Sequence, residues 1–315
     1  MTTLVTGAGL LGTSFAEAAK ARGETVVFFD PEPRADFLRL KLGDGGHRLI
    51  RGDVRSLAEL LDAIETQRIT TVVHTAGLIG GRVQREISRA FDVNIVGTRN
   101  VAEAVRLAGV KRLVHLSTFG AYDWRRPLVG PVTEDFPLGP GRAYGNFKAA
   151  KEMILEAYAG QYKFELIMLR PANVFGLGHF WGGSSGGAKM QELMEAGIAG
   201  RVARIPAYDT QDVEYVYAKD MGAAIDLAAT VPMPKEHVFN IGNGRVTRFE
   251  ELLACVRQVY PGLQIEIESG DRPLPKTEPM DISRASKHLG WAPRFTLLEA
   301  LQDYRKDLAA ARQPQ

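Results

Sequence analysis

Short apolar runs alternate with longer helix-like segments along the first 175 residues of the chain. The runs typical of strands are "TLVTG" (3–7), "ETVVFFD" (24–30), "HRLIRGD" (47–53), "TTVVHTA" (70–76), "RLVHLST" (112–118) and "FELIMLRP" (164–171). This alternation predicts parallel strands joined by crossover helices. Because the runs are nearly continuously apolar, we expect helices on both faces of the sheet, which is an α/β fold with a doubly wound parallel sheet.

The regular alternation ends near residue 176. A glycine-rich stretch, "GLGHFWGGSSGGAK", is followed by a helical pattern near 188–200, a return strand "EYVYAKD" with its helix, and "EHVFNIG". We expect residues 1–175, with a return segment at about 213–241, to form one domain. Residues 176–212 and 242–315 then form a smaller lobe of mixed structure, which we assign to substrate binding.

Composition excludes several classes of protein. The net charge is +2 and the basic residues are scattered, so we expect no nucleic-acid partner. No apolar run approaches the roughly 18 residues of a membrane span, and the N-terminus lacks a signal-peptide pattern, which predicts a cytoplasmic protein without membrane contact. Cys255 is the only cysteine, and the six histidines lack metal-site spacing. We predict no metal.

The first predicted strand leads into "TGAGLLG", in which Gly7, Gly9 and Gly12 form a G-x-G-x-x-G pattern. Glycines between a strand and a helix let the backbone approach a pyrophosphate. Asp30 ends the next strand, 18 residues beyond Gly12, where a carboxylate can accept hydrogen bonds from an adenosine ribose. A carboxylate there repels a 2′-phosphate, which favours NAD over NADP, although the nearby Arg34 argues the other way. A glycine turn without a cofactor is the alternative.

A second candidate site lies in "RAYGNFKAAKE", where Tyr144 and Lys148 are four residues apart in a helical pattern. The same spacing recurs at Tyr215 and Lys219, so the motif alone is weak evidence. On a helix such positions share one face, whereas on a strand they lie about 13 Å apart. We therefore expect only Tyr144 and Lys148 to cooperate, with the ammonium favouring the phenolate and bringing proton transfer toward neutral pH.

Alcohol oxidation also needs a hydroxyl group opposite the phenol. The end of the fifth predicted strand offers Thr118, with Ser117 beside it.

Further segments give the chain a family resemblance. They are "RGDVRS" (51–56), "HTAG" (74–77), "NIVGTRNVAEAV" (94–105), "PVTEDFPLGPGRAYGNFKAAKE" (131–152), "LRPANVFGLG" (169–178), "FNIGNG" (239–244) and "DISRASKHLGWAP" (281–293). In this order and over nearly the whole length, the chain resembles the extended short-chain dehydrogenases/reductases, also called NAD-dependent epimerases/dehydratases. The resemblance implies a Rossmann-type NAD-binding domain, NAD as cofactor, and a homodimer paired through helices near 83–109 and 144–160.

The resemblance also implies functional residues. The catalytic set is Thr118, Tyr144 and Lys148. The cofactor-binding set is Gly7, Gly9, Leu10, Leu11, Gly12, Asp30, Asp53, Val54, Thr75, Ala76, Gly77, Asn94, Ser117, Tyr144, Lys148, Pro171, Asn173 and Val174. Candidate contacts to a small-molecule substrate are Asn173, His179 in the glycine-rich stretch, and Arg272.

Three departures from the family pattern bear on function. The first turn is one residue shorter than the usual G-x-x-G-x-x-G. Phe119 and Gly120 follow Thr118 where dehydratases carry Asp-Glu, which disfavours 4,6-dehydration. Val213 lies near the position of an arginine that binds the diphosphate of nucleotide sugars.

Three functions remain open. The leading hypothesis is an NAD-dependent dehydrogenase that oxidises a secondary hydroxyl of a sugar, sugar acid or related small alcohol. The alternative is an NAD-retaining sugar or nucleotide-sugar epimerase, in which the same oxidation is followed by reduction on the other face. The third is a non-catalytic dinucleotide-binding protein. The first two share their catalytic residues, so the sequence does not separate them.

Overall fold

The computed structural model describes residues 2–139, 141–178, 185–271 and 278–312. Its strands are β1 (Thr3–Thr6), β2 (Val26–Phe29), β3 (His47–Ile50), β4 (Thr71–His74), β5 (Arg112–Leu116), β6 (Glu165–Pro171), β7 (Asn173–Phe175), β8 (Ala203–Ile205), β9 (Tyr215–Tyr217), β10 (Val238–Ile241) and β11 (Ile265–Ile267). Seven of them form one parallel sheet in the order β10-β6-β5-β4-β1-β2-β3. This confirms the predicted α/β doubly wound sheet.

The α-helices of the described residues connect these strands. They are α1 (Leu10–Ala21), α2 (Ala35–Leu42), α3 (Leu57–Thr66), α4 (Gly81–Arg85), α5 (Ile87–Ala90), α6 (Gly97–Leu107), α7 (Ala143–Tyr162), α8 (Ser185–Ala199), α9 (Ala218–Thr230), α10 (Phe249–Val259), α11 (Ser283–Leu289) and α12 (Leu297–Ala311). A π-helical turn (Phe91–Val96) precedes α6, and a 3-10 turn (Phe119–Ala121) follows β5. Within the described segments, no helix is long and apolar enough to span a membrane.

Helices cover both faces of the sheet. On one face, Phe15 of α1 and Met221 of α9 lie in one buried cluster with the strands. On the other face, Leu60 of α3 and Leu155 of α7 lie in a second cluster. The two-sided burial explains the continuous apolar strands seen in the sequence, because both faces of the central strands are shielded from water, whereas the edge strand β3 is partly exposed.

A separate core lies beyond β6. It contains Phe175, Met190, Val256 and Leu301 from β7, α8, α10 and α12. The strand pairs β7–β9 and β8–β11 belong to this region and not to the main sheet. The boundaries expected for the two domains, 1–175 with 213–241 and 176–212 with 242–315, stay a prediction.

The return strand is shorter than predicted. It ends at Tyr217, and α9 begins at Ala218, so Lys219 lies on a helix and not on the strand with Tyr215. The Lys219 ammonium pairs with Asp303 and, at 3.2 Å, with Asp307 of α12. The second Tyr-x-x-x-Lys copy is therefore not a cooperating pair, because its lysine is held by the C-terminal helix.

Candidate active site

The glycine turn between β1 and α1 requires glycine at two of its three glycine positions. Gly7 has a φ of +96°, and a side-chain carbon there would lie 2.8 Å from the Thr75 hydroxyl oxygen. A side-chain carbon at Gly12 would overlap the carbonyl oxygen of Gly7. Gly9 has no atom within 4 Å of its missing side chain, so the surface above it is open.

This turn fits the pyrophosphate of a dinucleotide. Gly9 is the N-cap residue of α1, which has no acidic residue in its first turn and no side-chain cap. The first backbone N–H groups of such a helix are free to bind an anion, and the helix dipole favours one there. Leu10 and Leu11, both predicted cofactor residues, form this first turn.

Asp30 lies directly beyond β2 and beside the turn. Its Oδ2 accepts a hydrogen bond from the Ala8 N–H at 2.9 Å, and its Oδ1 accepts one from the Glu32 N–H at 2.8 Å. Each carboxylate oxygen has a second lone pair available for a ribose hydroxyl. Arg34 forms an ion pair with Asp36 at 2.8 Å, so its charge is partly neutralised by a neighbour on its own segment.

The segment after β3 carries two more of the predicted cofactor residues, Asp53 and Val54. Asp53 is paired with Arg55 at 2.6 Å, and the hydrogen bond from this guanidinium lowers the pKa of the Asp53 carboxyl. Val54 is buried, and its carbonyl oxygen accepts a hydrogen bond from the Asn100 side chain at 3.0 Å. The segment is therefore fixed by α6 before any ligand contact.

Thr75, the first residue after β4, contacts the glycine turn. The Thr75 hydroxyl donates to the Thr6 carbonyl at 2.7 Å and contacts the Gly7 carbonyl at 3.1 Å. Asn94, in the π-helical turn, accepts from the Leu78 N–H at 2.8 Å and donates to the Leu78 carbonyl at 3.0 Å. Sequence reasoning assigned Asn94 to the cofactor; in the structure its amide fixes the loop after Gly77.

The structure brings Thr118 and Tyr144 together. A side-chain carbon at Gly145 would overlap the Gly120 carbonyl oxygen, so α7 lies directly against the 3-10 turn after β5. At this crossing the Thr118 side chain lies close enough to the Tyr144 phenol to lower its pKa. The Thr118 Oγ1 also accepts the Gly120 N–H at 3.1 Å, which fixes the threonine rotamer.

Lys148 lies one helical turn further along α7, on the same face. Its ammonium donates to the carbonyl oxygen of Leu116, the last residue of β5, and lies 5.9 Å from the centre of the Tyr144 ring. The side chain is only 6% exposed.

The protonation states differ from the expectation drawn from the sequence. Burial raises the pKa of Tyr144 to about 12, and the neighbouring Thr118 side chain only partly offsets this rise. Burial lowers the pKa of Lys148 to about 8, opposed by the charge of Glu152. The low-dielectric site disfavours both charged forms, and this effect exceeds the stabilisation of the phenolate by the ammonium.

Sequence reasoning missed a buried network behind the catalytic helix. Glu152 accepts a hydrogen bond from the Ser117 hydroxyl and forms an ion pair with Arg170 of β6 at 2.6 Å. The hydroxyl group of Ser117, which was predicted to contact the cofactor, thus already forms a hydrogen bond with Glu152. The available signal was helical spacing, since Glu152 lies eight residues beyond Tyr144 and on the same face.

A small cavity lies beside Phe119, the residue after Thr118. Its lining residues are Phe119, Trp124, Ala172, Asn173, Glu214, Glu278 and Met280. The Asn173 side chain donates to the Glu214 carbonyl at 3.1 Å, which fixes the amide in the cavity wall; its contact to a substrate stays a prediction. Pro171 ends β6 and Val174 lies in β7, on either side of this stretch.

Glu214 was also missed by sequence reasoning. Its carboxylate accepts the N–H groups of Gly244 and Met280, each at 2.8 Å, and burial raises its pKa to about 7. The residue holds three segments of the cavity wall together. The other two predicted substrate contacts, His179 and Arg272, lie outside the described residues.

Comparison with known proteins agrees with this architecture. The family model described as the NAD dependent epimerase/dehydratase family matches residues 3–242. A UDP-glucose 4-epimerase of Mycolicibacterium smegmatis is 31% identical over 309 residues, which cover 96% of each chain. A dTDP-6-deoxy-L-talose 4-dehydrogenase (NAD(P)(+)) of Kitasatospora kifunensis is 32% identical over 262 residues, 81% of this chain and 79% of that one.

Among solved structures, a UDP-glucose 4-epimerase of Thermotoga maritima with UDP-glucose superposes with a TM-score of 0.88 at 25% identity, covering 99% of this chain and 100% of that chain. The chain therefore belongs to the NAD-dependent epimerase/dehydratase family and is an NAD-dependent enzyme of the extended short-chain dehydrogenase type.

Proposed function

We propose that this enzyme is an NAD-retaining epimerase that inverts a hydroxyl-bearing carbon of a nucleotide-linked sugar. The observation that carries the proposal is that α7 packs against the turn after β5, with Thr118 near Tyr144 and with Lys148 5.9 Å from the Tyr144 ring, in a fold whose glycine turn fits a dinucleotide. The similarity to UDP-glucose 4-epimerases over 96% of the chain supports epimerisation over simple oxidation, which was the leading hypothesis from the sequence.

When bound, NAD supplies an acceptor that takes a hydride from the sugar carbon and returns it. The protein's own part is to handle the proton on the sugar oxygen. Thr118 orients this oxygen, and Tyr144 takes the hydroxyl proton in the first half of the reaction and returns it to the carbonyl oxygen in the second. A phenol with a pKa raised to about 12 is protonated at neutral pH, which suits the second half.

Lys148 assists the first half. Its ammonium lies on the same face of α7 as Tyr144, and a nearby positive charge favours the phenolate over the phenol. Because the proton and the hydride both return to the substrate, the complete reaction releases neither.

The diphosphate contact needs a different residue from the usual one. Val213 is 7% exposed and exchanges backbone hydrogen bonds with Thr247 at 3.2 and 2.9 Å. Its buried side chain is apolar and carries no charge with which to bind a diphosphate. Arg272 stays the sequence-based candidate for this contact.

The test is incubation of the purified enzyme with UDP-glucose, UDP-galactose, dTDP-glucose and UDP-glucuronate. We expect a 4-epimer by chromatography and NMR from at least one of them, with no accumulation of NADH at 340 nm. Stoichiometric NADH with a keto product would favour the second candidate, a nucleotide-sugar dehydrogenase, which the similarity to the Kitasatospora enzyme supports. No turnover of any nucleotide sugar would contradict both.

We further propose a homodimer. Several large apolar side chains are exposed on the helices that the family resemblance assigns to subunit pairing: Ile87, Phe91, Leu107, Met153 and Tyr162. Covering them with the same surface of a second copy would remove this apolar area from water.

A further inference from the structure

Four polar side chains of α7 form one stripe facing the sheet. They are Tyr144, Lys148, Lys151 and Glu152, at relative positions 0, 4, 7 and 8, which share a helix face. Three of them have a role above: proton transfer, support of the phenolate, and the ion pair with Arg170. Lys151 has none, although it is only 1% exposed.

Lys151 reaches a different strand from its neighbours on the stripe. Lys148 contacts the end of β5, and Glu152 contacts β6 through Arg170. The Lys151 Nζ donates instead to the carbonyl oxygen of Ala76, just beyond β4, at 3.1 Å. The nitrogen lies beside Gly77, since a side-chain carbon there would be in van der Waals contact with it at 3.5 Å.

Ala76 in turn lies against the glycine turn. A side-chain carbon at Gly7 would lie 3.2 Å from the Ala76 backbone nitrogen, and Thr75 contacts the carbonyl oxygens of Thr6 and Gly7. A continuous chain of contacts thus runs from α7 through Lys151 and Ala76 to the turn that fits the pyrophosphate.

We propose that Lys151 is a positioning residue that ties the catalytic helix to the glycine turn through the Ala76 carbonyl, and so sets how tightly NAD is retained. This goes beyond the proposed epimerase function and depends only on NAD binding. Retention matters most to an enzyme that must return the hydride to the same substrate molecule.

The electrostatic surroundings are compatible with this role. Burial and the charge of Lys148 hold the pKa of Lys151 well below its usual range. His74 and His115, which stack with ring centres 5.4 Å apart, also have pKa values well below normal because of burial. Both the ammonium and the amine form of Lys151 can donate to the Ala76 carbonyl oxygen, so the contact persists in either protonation state.

The test compares Lys151→Met with Arg112→Met. Arg112 is also buried, and its guanidinium donates to the carbonyl oxygens of Val231 at 2.7 Å and Ala228 at 3.1 Å. It is the first residue of β5 and so lies at the opposite end of the strand from the site. Both variants remove a buried donor to backbone carbonyls, so both are expected to lower the Tm. Only Lys151→Met should loosen the cofactor.

The readout is the NAD still bound to the holoenzyme, measured by chromatography over time after transfer into cofactor-free buffer. We expect Lys151→Met to raise the NAD dissociation rate on the order of 10-fold, since it leaves the Ala76 carbonyl unsatisfied, and Arg112→Met to leave the rate unchanged. Equal rates in wild type and Lys151→Met, or equal increases in both variants, would overturn the proposal.

A rescue experiment covers the case in which Lys151→Met does not fold. Lys151→Cys is unfolded in urea, alkylated with 2-bromoethylamine to rebuild an amine of lysine length, and refolded. Wild type treated identically controls for alkylation of Cys255. Restored NAD retention only after aminoethylation supports the proposal; retention that is the same before and after contradicts it.

Discussion

The Lys148 ammonium lies 5.9 Å from the centre of the Tyr144 ring, and its hydrogen bond goes to the carbonyl oxygen of Leu116 and not to the phenol. We therefore expect the lysine to act on the tyrosine through its charge, while Thr118 is the neighbouring side chain that lowers the pKa of Tyr144. This division of roles leads to separate expectations for the three residues.

Replacing Tyr144 by Phe should lower kcat by about 10²-fold or more, because it removes the proton-transfer group. NAD binding should stay close to wild type in calorimetric titration. Tyr215→Phe is the matched control, since it removes the same atom from a tyrosine that is 1% exposed and whose hydroxyl has no partner in the described part of the chain. Loss of turnover in Tyr215→Phe with full activity in Tyr144→Phe would reverse the assignment.

The pH dependence should follow Lys148. Its pKa of about 8 lies below the usual lysine value, so the ammonium is charged below pH 8 and loses its proton as the pH rises through that value. Since the charged form favours the phenolate, kcat should fall on the alkaline side with an apparent pKa near 8. Lys148→Arg, whose side chain stays charged, should shift this fall to higher pH. If Lys148→Arg left the pH profile unchanged, the fall of kcat at high pH would not be caused by Lys148.

Breaking the buried Glu152–Arg170 pair should be costly. The side chains are 3% and 6% exposed, so Glu152→Gln leaves an uncompensated guanidinium in the interior. We expect a loss of about 3–5 kcal/mol in the free energy of unfolding, measured by urea denaturation. Glu192→Gln, which breaks the exposed pair with Arg201, should cost about 1 kcal/mol or less. Similar losses for both variants would contradict this account of the buried pair.

Cofactor choice should depend on Asp30. Wild type should bind NAD much more tightly than NADP in calorimetric titration, because the carboxylate repels a 2′-phosphate. Asp30→Asn keeps an acceptor for the Ala8 N–H but removes the negative charge. The ratio of the affinity for NAD to the affinity for NADP should therefore decrease. Comparable affinities of the wild-type enzyme for NAD and NADP would contradict the role assigned to Asp30.

Assembly should depend on the exposed apolar residues of α6 and α7. Leu107 and Met153 are 50% and 61% exposed. If they lie in a dimer interface, the double replacement Leu107→Glu and Met153→Glu should give monomers by light scattering, while Val129→Glu, at a residue 96% exposed on a loop, should not. A monomeric wild type would exclude the homodimer at the concentration measured.

The sequence by itself determined the fold class, the family and the cofactor. Strands buried on both faces must be continuously apolar, and a glycine turn for a dinucleotide must fall directly after the first of them, so both features are visible in local patterns. Helical spacing alone likewise places Tyr144 and Lys148 on one face of a helix. Sequence alone ranked dehydrogenation above epimerisation, an order that the comparisons with known proteins do not support.

The tertiary structure decided what depends on distant segments. The pKa values of Tyr144 and Lys148 reflect burial by the packing of α7 on the sheet, which helical spacing does not reveal. The partners of Lys151 and Glu152 lie 75 and 18 residues away, at Ala76 and Arg170. Such contacts form only when parallel strands bring their carboxyl ends to one edge, so no local pattern in the sequence encodes them.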